Sequence, residues 1–133
     1  MSTKKWLNRG WKIEQEIAAL EREWEKAQAR LFQLSQSYDG VRVQTSPENK
    51  REDALLKCIE YEKLIDQYKE QLDTVKSEII KAIYQVDNST YRTLLIMRYL
   101  SFMTWEKIAE EMHIEERHVY RIHEKALSEV IYL

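Results

Sequence analysis

Glycine and proline are scarce in this sequence of 133 residues. Gly10 and Gly40 are the only glycines, and Pro47 is the only proline. At average usage a chain of this length would have roughly nine glycines and six or seven prolines. β-Sandwiches and barrels use these residues at chain reversals, and Rossmann and P-loop enzymes need glycine clusters to approach a phosphate. The sequence therefore predicts an all-α protein with few chain reversals.

A second cysteine and a long apolar run are also missing. Cys58 is the only cysteine, so it cannot form an intrachain disulfide, and this suits a reducing cytoplasm. No apolar stretch approaches the ~18 residues that span a bilayer, and no secretory signal is recognisable. We expect a cytoplasmic protein with no membrane association and no cofactor.

Neither sign of charge dominates, because 21 Lys and Arg face 23 Asp and Glu. Hydrophobic residues make up 44% of the chain and are periodic, which argues against disorder. Two heptad-like registers stand out, and each predicts a long helix that packs on another helix. The first, which is unbroken from Ile13 to Leu34 and predicts one long helix, comprises Trp6, Ile13, Ile17, Leu20, Trp24, Ala27, Leu31 and Leu34. The second comprises Cys58, Tyr61, Ile65, Tyr68, Leu72, Val75, Ile79, Ala82 and Val86.

The segment between the registers, residues 37–47, contains Asp39-Gly40, which predicts a turn. It ends at Ser46-Pro47, which predicts the start of a helix. We therefore expect residues 1–86 to form a long antiparallel helical hairpin, or coiled coil. Four apolar side chains lie off its main seam and need cover, so an oligomerisation or partner-binding role is favoured over a spacer. These are Leu55, Leu56, Ile59 and Leu64.

The sequence of residues 87–133 predicts three shorter helices. Asn88 begins a buried helix that ends near Leu100, and Thr104 is an N-cap for a helix over residues 105–112. A tight turn at His113 precedes the last helix, from Glu116 to about residue 131. The spacing is that of a helix-turn-helix, with His113 where φ is expected to be positive. Its apolar positions are Ile108, Ala109, Met112, Ile114, Val119 and Ile122.

The residues 94–100, 104–109 and 119–127 resemble the fourth region of bacterial sigma factors. The whole chain is similar to short phage and prophage proteins in which a helical region and a Gly-x-Arg-Val-Gln-x-Ser loop precede such a motif; residues 40–46 match that loop. Relatives include the ArpU/RinA class of phage transcriptional regulators. The resemblance implies a cytoplasmic protein of a bacterial host cell that binds double-stranded DNA and regulates late or packaging genes.

By this resemblance, the last helix enters the major groove. Glu116, Arg117 and Arg121 fall on base-reading positions, with His118 beside them, since arginine pairs with guanine and a carboxylate accepts from cytosine. Tyr120 and Lys125 are better placed for phosphates, as are the backbone N–H groups of Thr104, Trp105 and Glu106. We expect binding as a homo-oligomer through residues 1–86, with RNA polymerase as a possible further partner.

The charge of this segment leaves an alternative open. Residues 87–133 contain six Lys and Arg against eight Asp and Glu, whereas DNA-binding domains are commonly basic on one face. The alternative is an interaction or structural protein with a degenerate helix-turn-helix, such as a polymerase-binding or small-terminase-like packaging component. No catalytic constellation is recognisable, so an enzyme is not expected. His113, His118 and His123 recur every five residues, which does not suit a helical metal site.

Overall fold

The computed structural model describes residues 1–36 and 47–132, and within these ranges the only regular secondary structure is α-helix. This confirms the all-α prediction. In chain order the helices are α1 (Thr3–Leu7), α2 (Arg9–Gln36), α3 (Pro47–Ile83), α4 (Ser89–Tyr99), α5 (Trp105–Met112) and α6 (Glu116–Glu129).

The predicted long first helix is present as α2, which contains the whole stretch from Ile13 to Leu34. Trp6 lies in the separate helix α1, because the chain bends at Asn8. This residue has φ −74° and ψ −3° and forms the C-cap of α1, and its N–H donates to the Lys4 carbonyl. Gly10, two residues further on, is buried, and a Cβ placed on it would lie 3.5 Å from Cζ of Phe102. The bend thus occurs where a ring packs closely on the helix backbone.

The two predicted registers lie mainly on α2 and α3, with Trp6 in α1 and Val86 just after α3. Every register position is buried or half-buried, and Cys58 is only 2% exposed. Burial, together with the charge of Glu62, raises the pKa of the Cys58 thiol. These findings agree with a packing role for the two registers.

Side-chain pairs show that α2 and α3 run antiparallel. Nε1 of Trp24 donates to Oε1 of Glu62 at 3.1 Å, and the Glu16 carboxylate, as a hydrogen-bond acceptor, raises the pKa of Tyr68. α3 starts at Pro47, as the Ser46-Pro47 signal predicts. The predicted turn at Asp39-Gly40, the Gly40–Ser46 match and Leu133 lie outside the described residues.

The chain divides into two compact units, Met1–Glu14 with Gln71–Leu133, and Gln15–Glu70. The boundaries of these units differ from the expected boundary at residue 86. That boundary remains a prediction of which residues oligomerise and which bind DNA. The second unit leaves Leu55, Leu56 and Leu64 exposed, at 47%, 57% and 40%, while Ile59 is half-buried.

The first unit contains two apolar clusters. One joins α1, the end of α3, α4 and the second half of α6, and has Leu7, Ile79, Leu95, Tyr99 and Ala126 at 0–1% exposure. The other joins α4, α5 and the first half of α6. It contains all six apolar positions expected around the turn, with Ile108, Ala109, Val119 and Ile122 buried and Met112 and Ile114 packed against them.

The length and apolar character of each helix show whether it could cross a bilayer. Among residues 1–36 and 47–132, no helix combines the length and the apolar character that crossing a bilayer requires.

Candidate nucleic-acid interface

Local signals position α5 and the turn that follows it. The Thr104 side chain accepts a hydrogen bond from the Lys107 N–H at 3.2 Å, so Thr104 is the N-cap that its sequence position predicts. At the other end His113 has φ 56° and ψ 43°, the left-handed conformation expected there. The Ile114 N–H then donates to the Ala109 carbonyl at 3.1 Å. This bond closes the turn and directs Ile114 into the apolar cluster.

One face of α6 is buried and the other is exposed. Val119, Ile122, His123 and Ala126 form the buried face. The exposed face contains six of the residues that the sequence assigns to DNA. They are Glu116, Arg117, His118, Tyr120, Arg121 and Lys125.

Three of these residues form a basic stripe. Arg117, Arg121 and Lys125 are spaced four residues apart, so their side chains leave the helix on the same side. All three are exposed, and none forms an ion pair with another residue of the described ranges. We call them the α6 stripe.

The other cations of residues 87–132 are engaged within the protein. Arg92 Nη1 donates to the carbonyls of Val86 and Asp87, at 2.6 and 2.8 Å, and Arg98 Nη1 donates to the Met103 carbonyl at 2.8 Å. Lys107 lies within 4 Å of two α5 carboxylates. The α6 stripe therefore supplies the uncommitted positive charge of this segment.

Trp105 forms the centre of an aromatic cluster, and its side chain is half-buried. The Arg98 guanidinium lies 4.2 Å from its ring centroid, and the rings of His123 and Tyr120 approach it edge-on at 4.6 and 5.3 Å. The sequence assigned Trp105 to DNA through its backbone N–H. Its side chain instead links α4, α5 and α6.

Glu116 and Tyr120 interact on the surface of α6. The Tyr120 hydroxyl donates to Oε1 of Glu116 at 3.1 Å, and this hydrogen bond raises the pKa of Tyr120. The pair lies one helical turn apart, beside the α6 stripe. Glu116 is therefore held by its own helix.

Sequence reasoning missed the buried partner of His123. Its side chain is 4% exposed, and its Nε2 lies 2.6 Å from the Tyr99 hydroxyl. Burial lowers the pKa of His123 to about 4, with further lowering by the charges of Lys4 and Arg98. Burial likewise raises the pKa of Tyr99 to about 12. The only sequence signal was the helical spacing that places His123 next to Ile122 and Ala126.

A family model described as "Protein of unknown function (DUF1492)" matches residues 33–130. The chain belongs to the DUF1492 family. The match includes α3, α4, α5 and α6 in full, whereas α1 lies outside it. No curated protein and no solved structure matches the chain.

Acidic residues lie near the turn that precedes α6 in this DUF1492 chain. A shallow hollow beside the turn is lined by Ala109, His113 and Ile114 and by three carboxylates. These belong to Glu106, Glu110 and Glu115.

A second hollow, of about 400 Å³, lies between α4 and the α5–α6 pair. Met97, Met112, Ile114 and Ile122 contribute its apolar wall, and His118 is on its rim. The three histidines have different surroundings, since His113 caps α5, His118 is exposed and His123 is buried. Within residues 1–36 and 47–132, no three His, Cys, Asp or Glu side chains are grouped to hold a metal ion.

Proposed function

We propose that the protein binds double-stranded DNA sequence-specifically through α6. The observation that carries this proposal is the α6 stripe, in which Arg117, Arg121 and Lys125 are exposed on one side of a helix and unpaired within the described residues. Arginine can pair with guanine bidentately, and a helix fits the major groove. The same face holds Glu116, whose carboxylate can accept from a cytosine amino group.

The packing of α5 against α6 supports a helix-turn-helix. Both helices bury their facing sides in one cluster, and the left-handed residue His113 lets the chain reverse between them. The exposed first turn of α6 is then free to approach DNA. With the resemblance to sigma region 4 and to the ArpU/RinA class, this supports a transcriptional regulator of phage or prophage late or packaging genes.

The acidic surroundings indicate that a single copy binds weakly. Carboxylates near the turn repel phosphates, and salt weakens the attraction of three cations further. A homo-oligomer through residues 1–86 would present two α6 stripes to one site, and contact with RNA polymerase would also add affinity. Both partners belong to the proposal.

The decisive experiment measures binding to duplexes from the regions upstream of the genes neighbouring its own. We expect sequence-dependent binding that weakens with salt. Arg117→Ala combined with Arg121→Ala should greatly weaken the sequence preference, because two base-reading side chains are lost. The slope of log K against log salt should fall by up to about 2, which is about one for each of these cations that contacts a phosphate.

A matched control replaces Arg22 and Lys69, two exposed cations of the other packing unit, by alanine. It removes the same net charge and should leave the sequence preference intact. If the wild type shows no salt-sensitive, sequence-dependent binding even with RNA polymerase present, DNA recognition is refuted.

A second candidate is an interaction protein that binds polymerase or packaging machinery through residues 1–86. The exposed Leu55, Leu56 and Leu64 favour it, because apolar side chains exposed on one helix can mark a protein interface. Affinity capture with purified polymerase or terminase subunits tests it. Capture that survives Arg117→Ala with Arg121→Ala but is lost on replacing the three leucines by glutamine would support this candidate.

A further inference from the structure

The surface pair Glu116–Tyr120 spans the first turn of α6. The Tyr120 hydroxyl donates its hydrogen to Oε1 of Glu116 at 3.1 Å, and both side chains are exposed. This is the part of a recognition helix that lies nearest the base edges. The pair would therefore be at the interface itself.

Contacts with α5 and α4 hold Tyr120 in place. Its ring packs edge-on against Trp105, with ring centroids 5.3 Å apart and planes at 61°. The Arg98 guanidinium covers Trp105 at 4.2 Å and donates to the Met103 carbonyl, immediately before the N-cap Thr104. An exposed side chain on an isolated helix exchanges rotamers within nanoseconds, whereas these contacts favour one orientation of Tyr120.

We propose that Tyr120 is a positioning residue that fixes the Glu116 carboxylate toward one base pair. This inference rests on the proposed DNA binding and adds a determinant of specificity to it. A carboxylate has two oxygens, so Oε1 can accept from Tyr120 while Oε2 accepts from the amino group of a cytosine. Tyr120 thereby controls base preference without contacting a base.

The same geometry argues against Tyr120 as a phosphate ligand, the role that its position alone suggested. Its hydroxyl hydrogen is already donated to Glu116. Binding a phosphate would require it to leave this acceptor, and the released carboxylate would stand beside the incoming anion. Tyr120 therefore contributes to selectivity more than to affinity.

A double-mutant cycle tests the inference. Tyr120→Phe, Glu116→Ala and the double variant are compared with the wild type on duplexes in which each base pair of the preferred site is varied. Tyr120→Phe keeps the ring on Trp105 and should lower the preference at one base pair roughly fivefold, the usual effect of one hydrogen bond. Glu116→Ala should lose the preference at that same pair, and adding Tyr120→Phe to it should change nothing further.

Two results on DNA would overturn the positioning role. One is a uniform loss of affinity across all sequences in Tyr120→Phe, which is the signature of a phosphate contact. The other is a further change of base preference when Tyr120→Phe is added to Glu116→Ala. If the wild type has no sequence preference at all, the proposed function itself has failed, and the inference falls with it.

A measurement without DNA checks the pair separately. Carbon NMR of labelled tyrosine follows the titration of Tyr120, assigned by the signal missing from Tyr120→Phe. Glu116→Ala should lower the pKa of Tyr120, because Glu116 is the acceptor that raises it. An unchanged pKa would mean that the pair is not formed in solution, and this would overturn the inference whatever the DNA results are.

Discussion

Two histidines separated by ten residues have opposite roles at the scale of single side chains. His123 is buried against Tyr99 and Trp105, where an imidazolium would lose its hydration, so the neutral ring is favoured. His113 has an exposed side chain, and its special feature is a backbone with φ 56°. The burial of His123 therefore makes the stability of the fold depend on pH, whereas the backbone conformation of His113 costs stability through strain.

We expect His123 to make stability fall in mild acid. Its pKa is about 4 in the folded protein and about 6.5 when unfolded, so the unfolded chain binds the proton more readily below pH 6.5. The free energy of unfolding should drop by about 2 kcal/mol between pH 7 and pH 5, and further toward pH 4. Urea denaturation at several pH values measures this.

The control variants differ only in which histidine is removed. His123→Gln should lose most of this pH dependence, while His118→Gln, which alters an exposed histidine, should keep it. Equal pH slopes in the wild type and His123→Gln would contradict the assignment.

Replacing His113 by glycine should stabilise the protein. A residue with a Cβ pays roughly 1 to 2 kcal/mol in the left-handed conformation, and glycine avoids this cost but loses more entropy on folding. We expect a net gain of about 0.5 to 1 kcal/mol in the free energy of unfolding for His113→Gly.

His118→Gly provides a control of opposite sign. His118 lies within α6, where glycine should cost roughly 0.5 kcal/mol. Thermal or urea denaturation of the two variants should give shifts in opposite directions. A loss of stability in both would show that the His113 backbone is not strained.

At the scale of whole helices, the N-caps of α4, α5 and α6 differ. Asn88 accepts hydrogen bonds from the N–H groups of Thr90 and Tyr91 at the start of α4, and Thr104 caps α5. Glu115 is the N-cap of α6 and makes no side-chain capping bond, because its longer side chain suits this position poorly. The helix proposed to read DNA thus has the least stabilised start of the three.

Glu115→Asp should strengthen α6 without changing its charge. The shorter carboxylate can accept from the N–H groups of the first turn, and we expect the free energy of unfolding to rise by about 0.5 to 1 kcal/mol. Asn88→Ala, which removes an existing cap, should lower it by about 1 kcal/mol. Denaturation curves that do not separate these two variants would argue against capping as the cause.

The sequence predicted helices well where local signals determine them. The caps Asn88 and Thr104, the start at Pro47 and the left-handed residue His113 each depend on neighbours within a few positions, and all four are confirmed. The bend at Asn8 was missed, because it involves packing of Phe102, more than ninety residues away, on Gly10.

Long-range partners explain the rest of what was missed. Phe102 has φ 57°, although no glycine, asparagine or aspartate in its neighbourhood predicts a left-handed residue. The Tyr99 hydroxyl in α4 contacts Nε2 of His123 in α6. The guanidinium groups of Arg92 and Arg98 both donate to backbone carbonyls, and the spacing of apolar residues in α4 does not reveal these partners. Heptad periodicity can identify a buried face, but it cannot say which polar group a buried position will contact.

Self-association is the prediction at the scale of the whole molecule. Leu55, Leu56 and Leu64 are exposed on α3, and their burial between copies would contribute several kcal/mol at about 25 cal/mol per Å². We expect light scattering to report a homo-oligomer at tens of micromolar. Replacing the three leucines by glutamine should shift the protein toward monomer.

Ile131→Gln is the matched control for this experiment. Ile131 is 71% exposed but lies outside residues 1–86. The control should leave the oligomer intact. A wild type that is monomeric at tens of micromolar would count against oligomerisation through these leucines.

The aromatic cluster at Trp105 also has a spectroscopic consequence. The emission of an indole depends on the charges and rings around it. Trp105 has a guanidinium over one face, and the Tyr120 ring packs against it with the two planes at 61°. Any ligand that displaces Tyr120 from Glu116 would change that emission. The emission of Trp105 is the fluorescence of the wild type minus that of Trp105→Phe. A change in this difference would report, without any label, a ligand on the surface of α6 that displaces Tyr120.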